Sequence, residues 1–196
     1  GSTWTTFTDG VSTSTSATVT GLTNGTSYIF RVAAINTWGT GSYSTSSATT
    51  NPFTTPSAPT NVAGSPSSAQ VTVTWTAATA NGRAVTDYII QFSSNSGSTW
   101  STFTDGTSTA TSATITGLTN GVAYVFRVAA TNSAGTSSYS TTSASATPQS
   151  VPSLPTNVAG TGGNAQVSLV WTTPTSNGGR SITDYIVQFS SNAGTT

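Results

Sequence analysis

Eight side chains carry all the formal charge in 196 residues: Arg31, Arg83, Arg127, Arg180, Asp9, Asp87, Asp105 and Asp184. The chemistry open to such a set is narrow. Two carboxylates on one face could serve glycoside hydrolysis, one as acid and the other as nucleophile or base. Asp87 and Asp105 are the candidates, since a turn at "SGST" (96–99) would bring them to one end of a hairpin. No Glu, His or Lys is present to drive their pKa values apart. The simpler expectation is that Asp105-Gly106 forms a turn and that Asp87 pairs with Arg83 or Arg127.

Other chemistries fail for want of parts. The many Ser and Thr hydroxyls lack the base that would activate a nucleophile. With no Cys and no His, and with scattered carboxylates, zinc and calcium ligand sets are missing, and no cofactor is implied. The glycines of "GTGG" (160–163) precede no helix that could cradle a phosphate. Only 4% of residues are charged, against about 25% in an ordinary soluble protein, so no basic patch exists for nucleic acid. No apolar run approaches the roughly 20 residues of a membrane span. The sequence predicts no enzyme.

What the residues do show is a repeat. Trp4 recurs as Trp100, and "GLTNGTSYIFRVAAINTWGTGSYS" (21–44) as "GLTNGVAYVFRVAATNSAGTSSYS" (117–140), both 96 residues on. "VTDYIIQFSSN" (85–95) returns as "ITDYIVQFSSN" (182–192) after 97, because "ANGR" has become "NGGR" with one residue added upstream. Strand and turn signals alternate as in an all-β sandwich. "QVTVTW" (70–75) puts Val71, Val73 and Trp75 on one face, and "VTDYIIQFS" (85–93) does so with Tyr88 and Ile90. "WSTFT" (100–104), "SATITGL" (112–118) and "YVFRVAATN" (124–132) follow, the last with Tyr124, Phe126, Val128 and Ala130 inward. A weak strand is expected near 138–147, making seven per repeat.

With "PSAPTNV" ahead of Trp75, Tyr88 on the next strand and "LTNGVAY" before "FRVAATNSAG", the chain resembles fibronectin type III domains. It is most similar to the Ser/Thr-rich tandem modules of large bacterial secreted or surface proteins. The resemblance implies an immunoglobulin-like seven-stranded sandwich, with Leu118 and Tyr124 as a tyrosine corner. Phasing by it gives a complete module at 53–148, the last four strands (C′, E, F, G) at 1–52, and the first three (A, B, C) at 152–196. Gly1 then matches Gly97, and Thr196 matches Thr99.

Half a sandwich leaves its inner face bare. Tyr28, Phe30 and Val32 in the first segment, and Val167, Leu169, Trp171 and Tyr185 in the last, are expected to need completion. Each such side chain is worth about 1.5–3 kcal/mol when fully buried. Two arrangements provide it: the sequence is a window on a longer covalent array, or the tail of one chain completes the head of the next in a filament. Either way the expected partner is self, and the expected role is an extracellular or cell-surface spacer joined through Pro-containing links at 52–59 and 148–155. The resemblance also allows accessory modules of a polysaccharide-degrading protein, with extracellular polysaccharide as a partner. Adhesion through Arg-Gly-Asp is not indicated, since that tripeptide is absent from the loops. Trp38, Trp4 and Trp100 are the candidate inter-module contacts. Asn24 opens an "NGT" glycosylation sequon, although its Asn-Gly pair also suits the turn that precedes the tyrosine corner.

Overall fold

The computed structural model describes residues 3–191, so the equivalences drawn for Gly1 and Thr196 lie outside the described residues. Eleven strands and no helices are found among them. Two short strands, β1 (Ile35–Asn36) and β2 (Gly39–Thr40), form a hairpin in the first segment. The central module follows, with β3 (Thr60–Ser67), β4 (Gln70–Thr76), β5 (Asp87–Ser93), β6 (Ser101–Phe103), β7 (Ser112–Thr116), β8 (Val125–Asn132) and β9 (Gly135–Thr136). The last segment holds β10 (Thr156–Gly163) and β11 (Gln166–Thr172).

In the central module one sheet runs β3-β4-β7 and the other β6-β5-β8-β9, all antiparallel. Alternation along the strands decides what lies between them. From β4, Val71, Val73 and Trp75 point inward; Tyr88 and Ile90 do so from β5, Ile115 from β7, and Phe126, Val128 and Ala130 from β8. Trp75 meets Tyr88 edge-on at 5.3 Å between ring centroids. Tyr124 Oη accepts the Thr119 amide at 3.1 Å, which closes the tyrosine corner. In the first segment Tyr28 Oη accepts from Thr23 at 3.0 Å, and that bond holds its phenol below the usual range.

The structure corrects the weak strand expected near 138–147. That stretch makes no regular ladder; it contacts β8 through every third residue. Ser137, Ser140 and Ser143 donate their amides to the carbonyls of Ala130, Val128 and Phe126 at 2.8–2.9 Å. Their hydroxyl oxygens accept the amides of the same three partners at 3.0–3.1 Å. Each hydroxyl also donates to the carbonyl of its next neighbour at 2.7–2.8 Å. A hydroxyl thus stands where a strand carbonyl would, and that carbonyl is turned aside.

Three residues of this edge cover two residues of β8, or about 2.2 Å per residue, well short of a pleated strand. Ser44 and Ser47 repeat the device against Val32 and Phe30. Replacing buried Ser140 by Ala strands the Val128 amide, at an expected cost of about 1–3 kcal/mol. Ser138→Ala, on the exposed face, should lie within about 0.5 kcal/mol of the parent. Denaturant unfolding of both variants reads the difference; equal midpoints would count against the hydroxyl's role.

Candidate interaction surfaces

No catalytic constellation assembles among the described residues. Asp87 and Asp105 do line one cleft of about 210 Å³, beside Tyr88, Phe103 and Gly106. Asp87 Oδ1, however, accepts the Ser108 amide at 3.0 Å, so it pins the loop after β6. The expected pairing with Arg83 or Arg127 gives way to a different use of those cations, which lie on aromatic rings. No group of three or more metal-ligating side chains occurs among the described residues.

Arg127 shows how a guanidinium is housed in so uncharged a molecule. Its carbon lies 4.2 Å from the Trp100 ring centroid and 4.3 Å from that of Tyr139, and its Nε donates to Gln91 Oε1 at 2.8 Å. The flat cation suits a slot between two ring faces. Strand pairing sets the slot, because Gln91 stands directly opposite Arg127 across β5 and β8. The first segment repeats it, with Arg31 at 4.1 Å from Trp4 and 4.2 Å from Tyr43. The contacts given to Trp4 and Trp100 are therefore inside their own modules. Trp38 stands on the β1–β2 turn with its ring in solvent, 96% exposed.

A second surface joins the modules, and it occurs twice. At the first junction the Gly25 amide donates to the Pro52 carbonyl at 2.8 Å, and the Thr54 amide to the Asn81 carbonyl at 3.1 Å. At the second, Gly121 donates to Pro148 and Ser150 to Gly178, both at 2.8 Å. Arg83 lies 4.1 Å over the Phe53 ring at the first, and Arg180 Nε donates to Gln149 Oε1 at 2.6 Å at the second. The residue added in "NGGR" leaves the scheme intact.

Glycine makes this closeness attainable. Gly82 and Gly179 both have φ of +91°. A Cβ on Gly82 would fall 2.5 Å from the Pro52 carbonyl oxygen, and one on Gly121 would fall 2.9 Å from the Gly179 Cα. Backbone lies against backbone, as only Gly permits.

Asn132 was not among the expected site residues, yet it binds this region together. Its buried amide nitrogen donates to the carbonyls of Thr54, Ala80 and Arg83 at 3.0, 3.1 and 3.3 Å. The only sequence signal was its recurrence, as Asn36 in the first segment. Asn24 is exposed in its turn. Its counterpart Asn120 accepts the Ala69 amide at 2.8 Å and donates to Ser150 Oγ at 3.0 Å, a bridging task that a glycan on that nitrogen would block.

Removing the cation from its slot should be measurable. Arg127→Ala is expected to cost about 1–2 kcal/mol, because two ring faces and the Gln91 amide lose their partner. Unfolding at rising NaCl should leave that difference nearly unchanged, since no carboxylate pair is being screened. A difference that vanishes in salt would refute the ring-stacking account.

The sequence profile described as Fibronectin type III domain matches residues 3–50 and 57–146. Exoglucanase B of Cellulomonas fimi is 33% identical over 91% of this chain, and Chitinase A1 of Niallia circulans 36% over 63%. A Kelch domain-containing protein of Saccharolobus solfataricus is 47% identical over 39%. The chain spans 17%, 18% and 10% of these relatives respectively, so each match concerns a minor part of a longer protein. Among solved structures, the FN1-FN3 domains of chicken CNTN1 are 25% identical, with 79% of this chain and 55% of that one covered at a TM-score of 0.47. By its repeat, its sandwich and the family match, the chain belongs to the fibronectin type III domain family.

Proposed function

We propose that this chain is a non-catalytic structural spacer, working outside the cell or at its surface as a stack of modules held end to end. One observation carries the reading: both junctions use the same backbone hydrogen bonds and the same glycine-on-glycine approach. A flexible string of beads needs no such agreement, whereas a stack that transmits length and direction does. The scarcity of charge suits lateral packing with little repulsion.

A second reading is favoured by the matches to an exoglucanase and a chitinase. In it the modules are accessory to a polysaccharide-degrading protein and touch its polymer. Co-sedimentation with chitin or cellulose separates the two, since a spacer stays in the supernatant. Depletion by either polymer would favour the accessory role.

The spacer reading predicts a fixed inter-module angle. The chain lacks cysteine, so spin labels can be placed at Ser138→Cys in the central module and Ser168→Cys on β11. The distance distribution between them should be narrow, and Gly179→Ala should broaden it while an unchanged denaturant midpoint shows the central core intact. A broad distribution in the chain that keeps Gly179 would overturn the reading.

A further inference from the structure

The arginine slot of the central module is held more firmly than its place on an outer sheet face requires. One wall, Trp100, follows a turn tied at both ends. Ser93 Oγ donates to Asn95 Oδ1 at 2.8 Å, and the same oxygen accepts the Thr99 amide at 3.0 Å. Gly97, with φ of +89°, lies so near the indole that a Cβ there would fall 3.1 Å from its Cζ2. The other wall, Tyr139, stands between Ser137 and Ser140, whose amides bond to β8. Gln91 is oriented as well, because its Nε2 donates to Thr102 Oγ1 at 3.1 Å while its Oε1 accepts from Arg127.

A guanidinium housed in this way has one edge left. Rings cover both of its faces and Gln91 takes its Nε. The two Nη groups have no acceptor among the described residues, and neither is buried. No carboxylate lines the slot. Asp87 shares a face of β5 with Gln91 but lies four residues along the strand, or about 13 Å, and it holds the Ser108 amide. The open edge presents parallel N–H donors, the fork that matches a planar carboxylate. An exposed ion pair usually gains little because ordering a long side chain costs entropy. Here that order is already imposed.

We infer that Arg127 and its counterpart Arg31 bind the carboxylates of an acidic polysaccharide, a polymer of uronic acids, with one carboxylate in the plane of each guanidinium. Arg31 lies in the same kind of slot, between Trp4 and Tyr43, so the receptor recurs once per module. A receptor repeated at a fixed interval suits a polymer whose charge is also repeated. The groups beside the slot are the Gln91 amide and the Thr102 hydroxyl, which suit sugar hydroxyls better than apolar peptide side chains. Each contact is weak alone, and several on one polymer raise retention through effective concentration. The inference rests on reading the chain as extracellular, and it adds a partner to the spacer.

Electrophoresis of the whole chain through gels containing polygalacturonate tests it. The acid should retard the chain, and its methyl ester, which caps the carboxylates on the same backbone, should not. Added NaCl should weaken the retardation. Arg31→Gln with Arg127→Gln should weaken binding about tenfold. Arg83→Gln with Arg180→Gln removes the same charge from the junctions and should stay within about twofold of the parent. Equal retardation by acid and ester, or equal loss in the two double variants, would overturn the assignment. Stronger retardation by polyglutamate than by polygalacturonate would overturn it too, and would make the partner an acidic protein. The comparison of acid with ester uses the unsubstituted chain, so it stands whatever the stability of the variants. If polygalacturonate fails to bind while the spin-label distance across the second junction stays narrow, this inference fails and the spacer stands. Selective binding with a broad distance means the reverse.

Discussion

Everything in this molecule depends on closing two sheets over one another. Neither sheet has a stable inner face alone, because alternation places Val71, Val73, Ile90, Phe126 and Val128 on that face and nothing else covers them. Each is worth about 1.5–3 kcal/mol when fully buried, and together they outweigh any contact on the surface. The chain is therefore best read in units of sheet pairs. In the first and last segments, each of which carries only part of both sheets, side chains of the same type stand largely in solvent.

A core of this kind usually sits under a charged surface, and this one does not. Polar groups are satisfied by hydroxyls, amides and rings. The edge beside β8 is the plainest case, since serines at every third position offer a backbone amide as donor and a hydroxyl as acceptor. The geometry protects as well as satisfies. A contracted, non-pleated edge cannot template another strand, and it blunts edge-to-edge pairing without the lysines that commonly do so. The arginines follow the same logic, with ring faces and glutamine amides in place of carboxylates.

The junctions extend that economy from one module to the next. Few side chains take part; the work falls to glycine amides, proline carbonyls and one buried asparagine. Contact at backbone level explains why one added residue in "NGGR" is accepted, because the bonding carbonyl moves from Asn81 to Gly178 without a change of partner type. It also makes the joint sensitive to any side chain at its glycines, since both sides are main chain and cannot yield.

The sequence by itself determined the fold class, the repeat and the inward residues, because period-two alternation and a 96-residue offset are local or translational signals. The tyrosine corner was legible through the resemblance that "LTNGVAY" carries, a short motif whose bonded partners lie five residues apart. It misjudged 138–147, where the period is three and a hydroxyl replaces a carbonyl, a pattern that resembles a poor strand when read for alternation. It also missed Asn132, whose three acceptors lie 78, 52 and 49 residues away. Whether an arginine would meet a carboxylate or two rings, and whether two glycines would touch across a junction, depended on which loops meet in space. Only the tertiary structure decided these, because they follow from packing between distant segments and leave no periodic trace in the chain.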